Sequence, residues 1–195
     1  MVKIEKTEKQ MIVSSPYHPD LPAKAKKLGG KWSAASKAWI FDIRDEDRVK
    51  DLYRNIYGTD GDTPTGDLVT LRVNFFEGAS DLHGGVFVGG RCIGRATGRD
   101  SGASLANGII IIDGRIYSGG SVKNWRTVVA EGTIVEVRDI PREKALEVIA
   151  SGQTDSGDTI KAEILEPTTI NREALEAERE KLLARITEIE AILAQ

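Results

Sequence analysis

The stretch from Lys24 to Phe41 combines the residue types that bind nucleic acid. It holds five lysines and two tryptophans, and Trp32 and Trp39 stand on either side of a small Ser-Ala-Ala-Ser segment. Lysines can contact phosphates, and an exposed tryptophan ring can stack on an unpaired base. The predicted contacts are Lys26, Lys27, Lys31 and Lys37 to phosphates and Trp32 to a base. The alternative is that both tryptophans belong to the core and that the lysines form an ordinary solvated face.

Local signals predict the elements that position these residues. Asp20 is a candidate N-cap for a helix over residues 21–28, which Gly29 and Gly30 would end. The Ser-Ala-Ala-Ser segment predicts a hairpin that pairs residues 31–33 with residues 37–43. Trp39, Phe41 and Ile43 would then share one strand face. A second helix, capped by Asp45, has the amphipathic spacing of a core-packed helix and ends at Gly58.

The same residues carry a family resemblance. The pattern Pro19 to Leu21, Lys26, Leu28-Gly29-Gly30-Lys31-Trp32 and Lys37-Ala38-Trp39-Ile40-Phe41 resembles the HARP-type modules of DNA-annealing motors and HARP-like segments of phage and plasmid proteins. It covers about residues 11–58. The resemblance implies a β-α-β-β-α unit that touches DNA, including single-strand junctions. The ATP-driven motor of the annealing proteins has no counterpart here, so that activity is not implied.

The central part of the chain offers a second group of candidates. Three Gly-Arg pairs recur every four residues, which on a regular strand would place their arginines on one face. A Gly-Gly-Ser turn follows, whose amides could hold an oxyanion. The predicted second face consists of Arg91, Arg95, Arg99, Lys123, Trp125 and Arg126. The alternative is a glycine-kinked strand with solvated arginines and a plain turn with a core tryptophan.

The overall pattern predicts an α+β protein in three parts. Residues 1–60 form the HARP-like module, residues 66–150 a glycine-rich, mostly antiparallel β domain with a trailing helix, and residues 167–195 an amphipathic helix. Polar linkers are expected at 59–67 and 151–158. Asp113-Gly114 predicts a two-residue hairpin. The β domain could be a barrel or a sandwich, and its trailing helix, at 141–150, would bury Ala145, Leu146, Ile149 and Val148.

Apolar residues at coiled-coil spacing occupy the C-terminal segment. They are Leu175, Leu182, Ile186, Ile189 and Leu193, with Arg179 at one seam position. Asn171 is the expected N-cap. This pattern favours a homodimer through residues 171–195, and the alternative is a helix that folds back on the β domain.

Composition narrows the function classes. The net charge is −3, so nucleic-acid binding would depend on local basic patches. Cys92 is the only cysteine and His18 and His83 are the only histidines, which leaves no zinc-ligand cluster and no recognisable catalytic motif. We therefore expect no enzyme activity, no metal and no cofactor. The absence of a signal sequence and of a long apolar run predicts a soluble, cytoplasmic protein without a membrane partner.

These observations lead to two hypotheses of function. The first is a non-enzymatic nucleic-acid-binding accessory protein of a mobile element, with DNA favoured over RNA. The second is an anti-defence inhibitor or adaptor of a phage or plasmid that binds a host protein complex. The residues leave the strandedness of the nucleic acid and the identity of any protein partner open.

Overall fold

The structure is a computed structural model that describes residues 2–62, 66–165, 179–183 and 185–186. The chain divides into two compact units, Met1–Leu165 and Glu166–Gln195. Within the first unit, two separate apolar clusters form, one from residues between 2 and 57 and one from residues between 69 and 160. The two cores therefore fall within the first two predicted parts, although both parts belong to one unit.

The first core lies under a four-stranded antiparallel sheet with two helices. Its elements are β1 (Lys3–Lys6), β2 (Gln10–Ser14), α1 (Leu21–Lys27), β3 (Lys31–Ser33), β4 (Ala38–Asp42), a 3₁₀ turn (Ile43–Asp45) and α2 (Glu46–Tyr57). The strand order is β1-β2-β4-β3, so β3 is an edge strand. The predicted helices and the predicted hairpin are all present. The charged N-terminal segment adds the edge strand β1.

Alternation along the strands creates the buried face of this sheet. Met11 pairs with Phe41 and Val13 with Trp39, and because residues opposite each other in an antiparallel pair share a face, all four side chains point the same way. All four are buried, and the ring of Tyr53 on α2 meets Phe41 edge-on. The prediction that Trp39 and Phe41 share a buried face is confirmed.

The two predicted aspartate caps are wrong. Neither Asp20 nor Asp45 accepts a hydrogen bond from the first turn of the helix that it precedes. Each carboxylate instead pairs with a basic side chain one turn along its helix, Lys24 and Arg48 respectively. Gly58 ends α2 in the left-handed conformation, as predicted, with φ of 70°.

The second core lies among antiparallel strands and a helix. The elements are β5 (Leu68–Phe75), β6 (Ala79–Leu82), β7 (Gly85–Val88), β8 (Arg91–Ala96), β9 (Ala103–Leu105), β10 (Ile109–Asp113), β11 (Ile116–Gly120), β12 (Trp125–Val129), β13 (Thr133–Pro141), α3 (Arg142–Ser151) and β14 (Lys161–Leu165). The sheets run β10-β13-β5-β14, β11-β12-β6 and β7-β8-β9. The mostly antiparallel α+β prediction is confirmed. The barrel alternative is wrong, because these described sheets have ends and do not close.

The predicted Asp113-Gly114 hairpin is also wrong. β10 pairs with β13, whereas β11 pairs with β12, so the chain crosses between sheets at Gly114 instead of folding back. Gly114 has φ of 82°, and a Cβ there would lie 2.5 Å from Thr133 Oγ1. The turn signal was real, but packing against Thr133 directs the chain into the other sheet.

The region after β13 differs from its prediction in two ways. In α3, Ala145 and Val148 are buried, but Leu146 and Ile149 are exposed, so the predicted buried face was wrong by about one side of the helix. The predicted linker 151–158 is an ordered loop in which Thr154 is buried and accepts a hydrogen bond from the amide of Asp158. β14 then pairs with β5, so this sheet extends beyond residue 150, where the predicted β domain ended.

The second unit carries the predicted C-terminal helix. Residues 179–183 and 185–186 are helical and exposed. The rest of the predicted coiled coil, including Asn171, Leu175, Ile189 and Leu193, lies outside the described residues, so no coiled coil is shown. None of the described helices is both long enough and apolar enough to span a membrane.

Candidate nucleic-acid interface

The two tryptophans of the hairpin have different environments. Trp32 on β3 is 53% exposed, whereas its cross-strand partner Trp39 on β4 is 5% exposed. Their rings meet edge-on with centroids 5.5 Å apart. Because β3 is an edge strand, Trp32 has a strand neighbour on one side only. The buried ring thus supports an aromatic surface of which half remains open to solvent.

Four exposed lysines lie close to Trp32 in the chain. Lys26 and Lys27 occupy the last turn of α1, Lys31 begins β3, and Lys37 ends the β3–β4 turn with φ of 49°. Within the described part of the chain, none of the four forms an ion pair. Their charges are therefore available to an external anion.

Other cations of the same module are neutralised, which makes this difference informative. Lys6 and Lys50 both bind Glu46 and Asp62, at N to O distances between 2.5 and 2.8 Å. Hydrogen bonding to these two carboxylates raises the pKa of Lys6. Arg44 binds Asp42 through its backbone amide and its guanidinium, which lowers the pKa of the Asp42 carboxyl to about 2.

The strand register separates Lys31 from Trp32. Lys31 pairs with Ile40 and Trp32 with Trp39, so these neighbours point to opposite faces of the sheet. α1 packs on the face of Trp32, since Leu21 and Ala25 join the core cluster that contains Trp39. Lys26 and Lys27 therefore share a side of the sheet with Trp32, and Lys31 lies across the edge formed by β3.

The predicted arginine face of the Gly-Arg repeat does not form. A bulge in β8 places an extra residue between Arg91 and Arg95, and Arg99 lies in the turn after the strand. Arg91 donates to the carbonyl of Asn107 at 3.0 Å, and Arg99 pairs with Asp100 at 2.8 Å. The prediction assumed a regular strand, and the bulge and the turn remove that regularity.

The Gly-Gly-Ser segment forms the tip of the β11–β12 hairpin. Gly120 pairs with Trp125, and the amide of Asn124 donates to Ser121 Oγ. Trp125 is half-buried, with its ring centroid 5.3 Å from that of His83. Lys123 and Arg126 are exposed, and Arg126 donates to Ser80 Oγ. This tip keeps two cations and part of a tryptophan accessible.

Tyr17 is an aromatic residue to which the sequence patterns assigned no role. It is 53% exposed, and the guanidinium of Arg95 lies 4.7 Å from the centroid of its ring. Its position between Pro16 and Pro19, in a loop with few apolar neighbours, was the available signal. An arginine stacked on a tyrosine offers a cationic flat surface of the kind that bases stack on.

His18 and Asp155 join the two cores through a contact that no sequence pattern predicted. His18 is 5% exposed, and its Nε2 lies 3.3 Å from Asp155 Oδ2. His18 Nδ1 accepts from the amide of Asp20, so Nε2 carries the hydrogen that is donated to Asp155. Asp155 also accepts from the amides of Gly89 and Gly90 at 2.7 and 2.8 Å. Residues 137 positions apart are thereby held together.

The groups that could do chemistry are arranged structurally. His83 places Nε2 2.7 Å from the carbonyl oxygen of Lys123 and not beside a nucleophile. Burial raises the pKa of the Cys92 thiol, which works against a reactive thiolate. Among the described residues, no group of three or more His, Cys, Asp or Glu side chains could hold a metal ion.

Comparison with known protein families, with curated proteins and with solved structures finds no match to this chain.

Proposed function

We propose that this protein binds nucleic acid without catalysing a reaction, through Lys26, Lys27, Lys31, Lys37 and Trp32. The observation that carries the proposal is the contrast between these lysines and the neighbouring cations. The four lysines have no carboxylate partner among the described residues, whereas Lys6, Lys50 and Arg44 are paired. A half-exposed tryptophan lies beside the unpaired charges.

The preferred ligand is single-stranded DNA or a single-strand junction. Bases in a duplex are already stacked on each other, so Trp32 could stack only on an unpaired base. The placement of Lys31 across the β3 edge suits a flexible strand that bends around the edge. The resemblance of residues 11–58 to HARP-type modules supports DNA over RNA and an accessory role in a mobile element.

A second contact surface is proposed on the β domain, with Arg95 on Tyr17 and with Lys123, Trp125 and Arg126 at the hairpin tip. Self-association through residues 171–195 would bring two copies of these surfaces together. Two linked sites bind more tightly than one, because the second contact forms at a high effective concentration.

The test is fluorescence anisotropy with labelled single-stranded DNA, duplex DNA and RNA at two salt concentrations. We expect salt-sensitive binding that is strongest to single-stranded DNA. The double variant K26A/K27A should bind more weakly, and its salt dependence should flatten by about 0.7 in log–log slope for each lost phosphate contact.

The matched control is K3A/K9A, which removes the same charge from two other exposed lysines of the module that have no ion pair among the described residues. Equal losses in both double variants would mean that only net charge matters. If wild-type protein binds none of the three nucleic acids at low salt, the proposal fails. A stoichiometric protein retained from nuclease-treated host lysate would then favour the inhibitor or adaptor hypothesis.

A further inference from the structure

A cleft lies between the N-terminal module and the β domain, within the first compact unit. Its volume is about 450 Å³, and its lining includes Pro16 and Tyr57 from the module and Leu68, Arg91 and Asp139 from the β domain. Small-molecule sites in proteins usually measure about 300 to 1,000 Å³. The cleft therefore has the size of a site for a small organic ligand.

Arg91 is fixed in this cleft with most of its donors unused. It is half-buried, and its Nη2 donates to the carbonyl of Asn107 at 3.0 Å. Gly108 makes this position possible, because a Cβ there would lie 2.9 Å from the same nitrogen. Within residues 2–62 and 66–165, Arg91 has no carboxylate partner. A guanidinium carries five N–H donors, so it can still bind an anion through two of them.

Asp139 supplies the opposite character in the same cleft. It lies at the bulge of β13 between Val137 and Ile140 and has φ of 56°, in the left-handed region. Aspartate tolerates this region better than most residues, but such a conformation persists only where the surrounding structure enforces it. Its exposed carboxylate has no ion pair or hydrogen bond among the described residues, and none with Arg91.

The cleft thus presents an unpaired cation and an unpaired acceptor, with apolar surface from Val2, Leu68 and Pro141. A ligand that fits has an anionic group for Arg91, a hydrogen-bond donor for Asp139 and a flat apolar part for the wall. We propose that this cleft binds a nucleoside monophosphate, with its phosphate on Arg91 and a base amino group or ribose hydroxyl on Asp139. A free amino acid would match the charges but would leave much of the volume empty.

The proposal is independent of the lysine and tryptophan interface, and its test uses the full chain. Isothermal titration calorimetry with AMP, GMP and CMP should show saturable one-site binding for at least one of them. Arg91→Gln should weaken that binding about tenfold or more, since it removes a charge-assisted hydrogen bond. Asp139→Asn should weaken it severalfold, and because asparagine also tolerates the left-handed region, the fold should be retained.

Two controls make the result decisive. Arg115→Gln removes an exposed arginine that stacks on Tyr117 outside the cleft, and it should leave nucleotide binding unchanged. K26A/K27A should also leave it unchanged while it weakens binding to DNA, so the two proposals can fail separately. If Arg91→Gln is unfolded by circular dichroism, Arg91→Lys replaces it and should still weaken binding, because lysine lacks the planar fork.

The proposal is overturned if no nucleotide binds saturably at millimolar concentration, or if the Arg91 and Asp139 variants bind as the wild type does. It is also overturned if inorganic phosphate or a free amino acid binds as tightly as the best nucleotide.

Discussion

Trp32 and Trp39 are the same residue type, seven positions apart, and the sheet gives them different roles. Trp39 lies in the central part of the sheet and is buried, whereas Trp32 lies on the edge strand and is half exposed. The lysines and arginines around them divide in a similar way, into those paired with carboxylates and those left unpaired among the described residues. Burial and pairing therefore distinguish the candidate contacts from structural residues.

Replacing Trp32 tests the stacking contact directly. Trp32→Ala should weaken binding to single-stranded DNA by about 1 to 3 kcal/mol, the range for loss of one aromatic–base stack. Its free energy of unfolding should fall by less than the roughly 3 to 5 kcal/mol that a buried aromatic residue loses on truncation, which is the loss expected for Trp39→Ala. Anisotropy and urea denaturation measure the two effects. Trp32→Tyr keeps an aromatic ring and should retain most of the binding; unchanged affinity in Trp32→Ala would rule out stacking at this residue.

The Asp42–Arg44 pair gives a prediction for pH. Asp42 accepts from the guanidinium and the amide of Arg44, which lowers the pKa of its carboxyl to about 2. A carboxyl with a lowered folded-state pKa stabilises the fold above its unfolded-state pKa of about 3.9, and this contribution is lost as the pH falls toward 2. Carboxyl carbon NMR between pH 1.5 and 6 should place the Asp42 midpoint near 2. In Arg44→Gln the midpoint should rise, and an identical midpoint in both proteins would contradict the assignment.

The turn between β7 and β8 shows how one element can join two cores. Gly89 and Gly90 donate their amides to Asp155, which also binds His18 from the N-terminal module. Gly90 has φ of 75°, and a Cβ on it would lie 2.0 Å from the carbonyl oxygen of Ile56 on α2. The turn therefore touches the backbone of α2, and no side chain fits between them.

This close approach predicts a large effect of one methyl group. Gly90→Ala should lower the free energy of unfolding by about 3 kcal/mol or more, because the chain must shift at a left-handed position that also contacts backbone. Gly98→Ala is the matched control, since a Cβ at Gly98 would meet nothing within 4 Å and its φ is not left-handed. Urea denaturation should show a change for Gly98→Ala of at most about 0.5 kcal/mol. Equal stability of both variants would mean that the turn and α2 are not in contact.

Across the whole molecule, one compact unit contains both cores, and the C-terminal segment forms a second unit. In that segment Leu182 and Ile186, both at predicted seam positions, are 58% and 50% exposed. Large apolar side chains at this spacing favour association with a second helix. The dimer through residues 171–195 stays a prediction.

Sedimentation of the full chain tests self-association. We expect a dimer that dissociates to monomers in L182E/I186E, because charged residues at seam positions would be buried without partners. Leu146→Glu is the control, since it alters an exposed leucine of α3 and should leave the dimer intact. A wild-type protein that sediments as a monomer at high concentration would refute self-association.

Local sequence patterns were sufficient to predict most of the helices and strands. The helices, the β3–β4 hairpin and strands such as β5 follow from periodicity and from chain-terminating glycines such as Gly58, which act within a few residues. The same patterns identified the lysines and Trp32 as candidates, because residue type and spacing are visible in the chain.

Tertiary packing determines which of these residues stand free and which are joined. It sends the chain at Gly114 into a different sheet, splits Arg91 from Arg95 with a bulge, and brings His18 to Asp155. Each outcome depends on strand register or on contact between distant segments, and these are set by packing of the whole unit. Local periodicity contains no information about them, so the cleft at Arg91 and Asp139 could be found only in the folded chain.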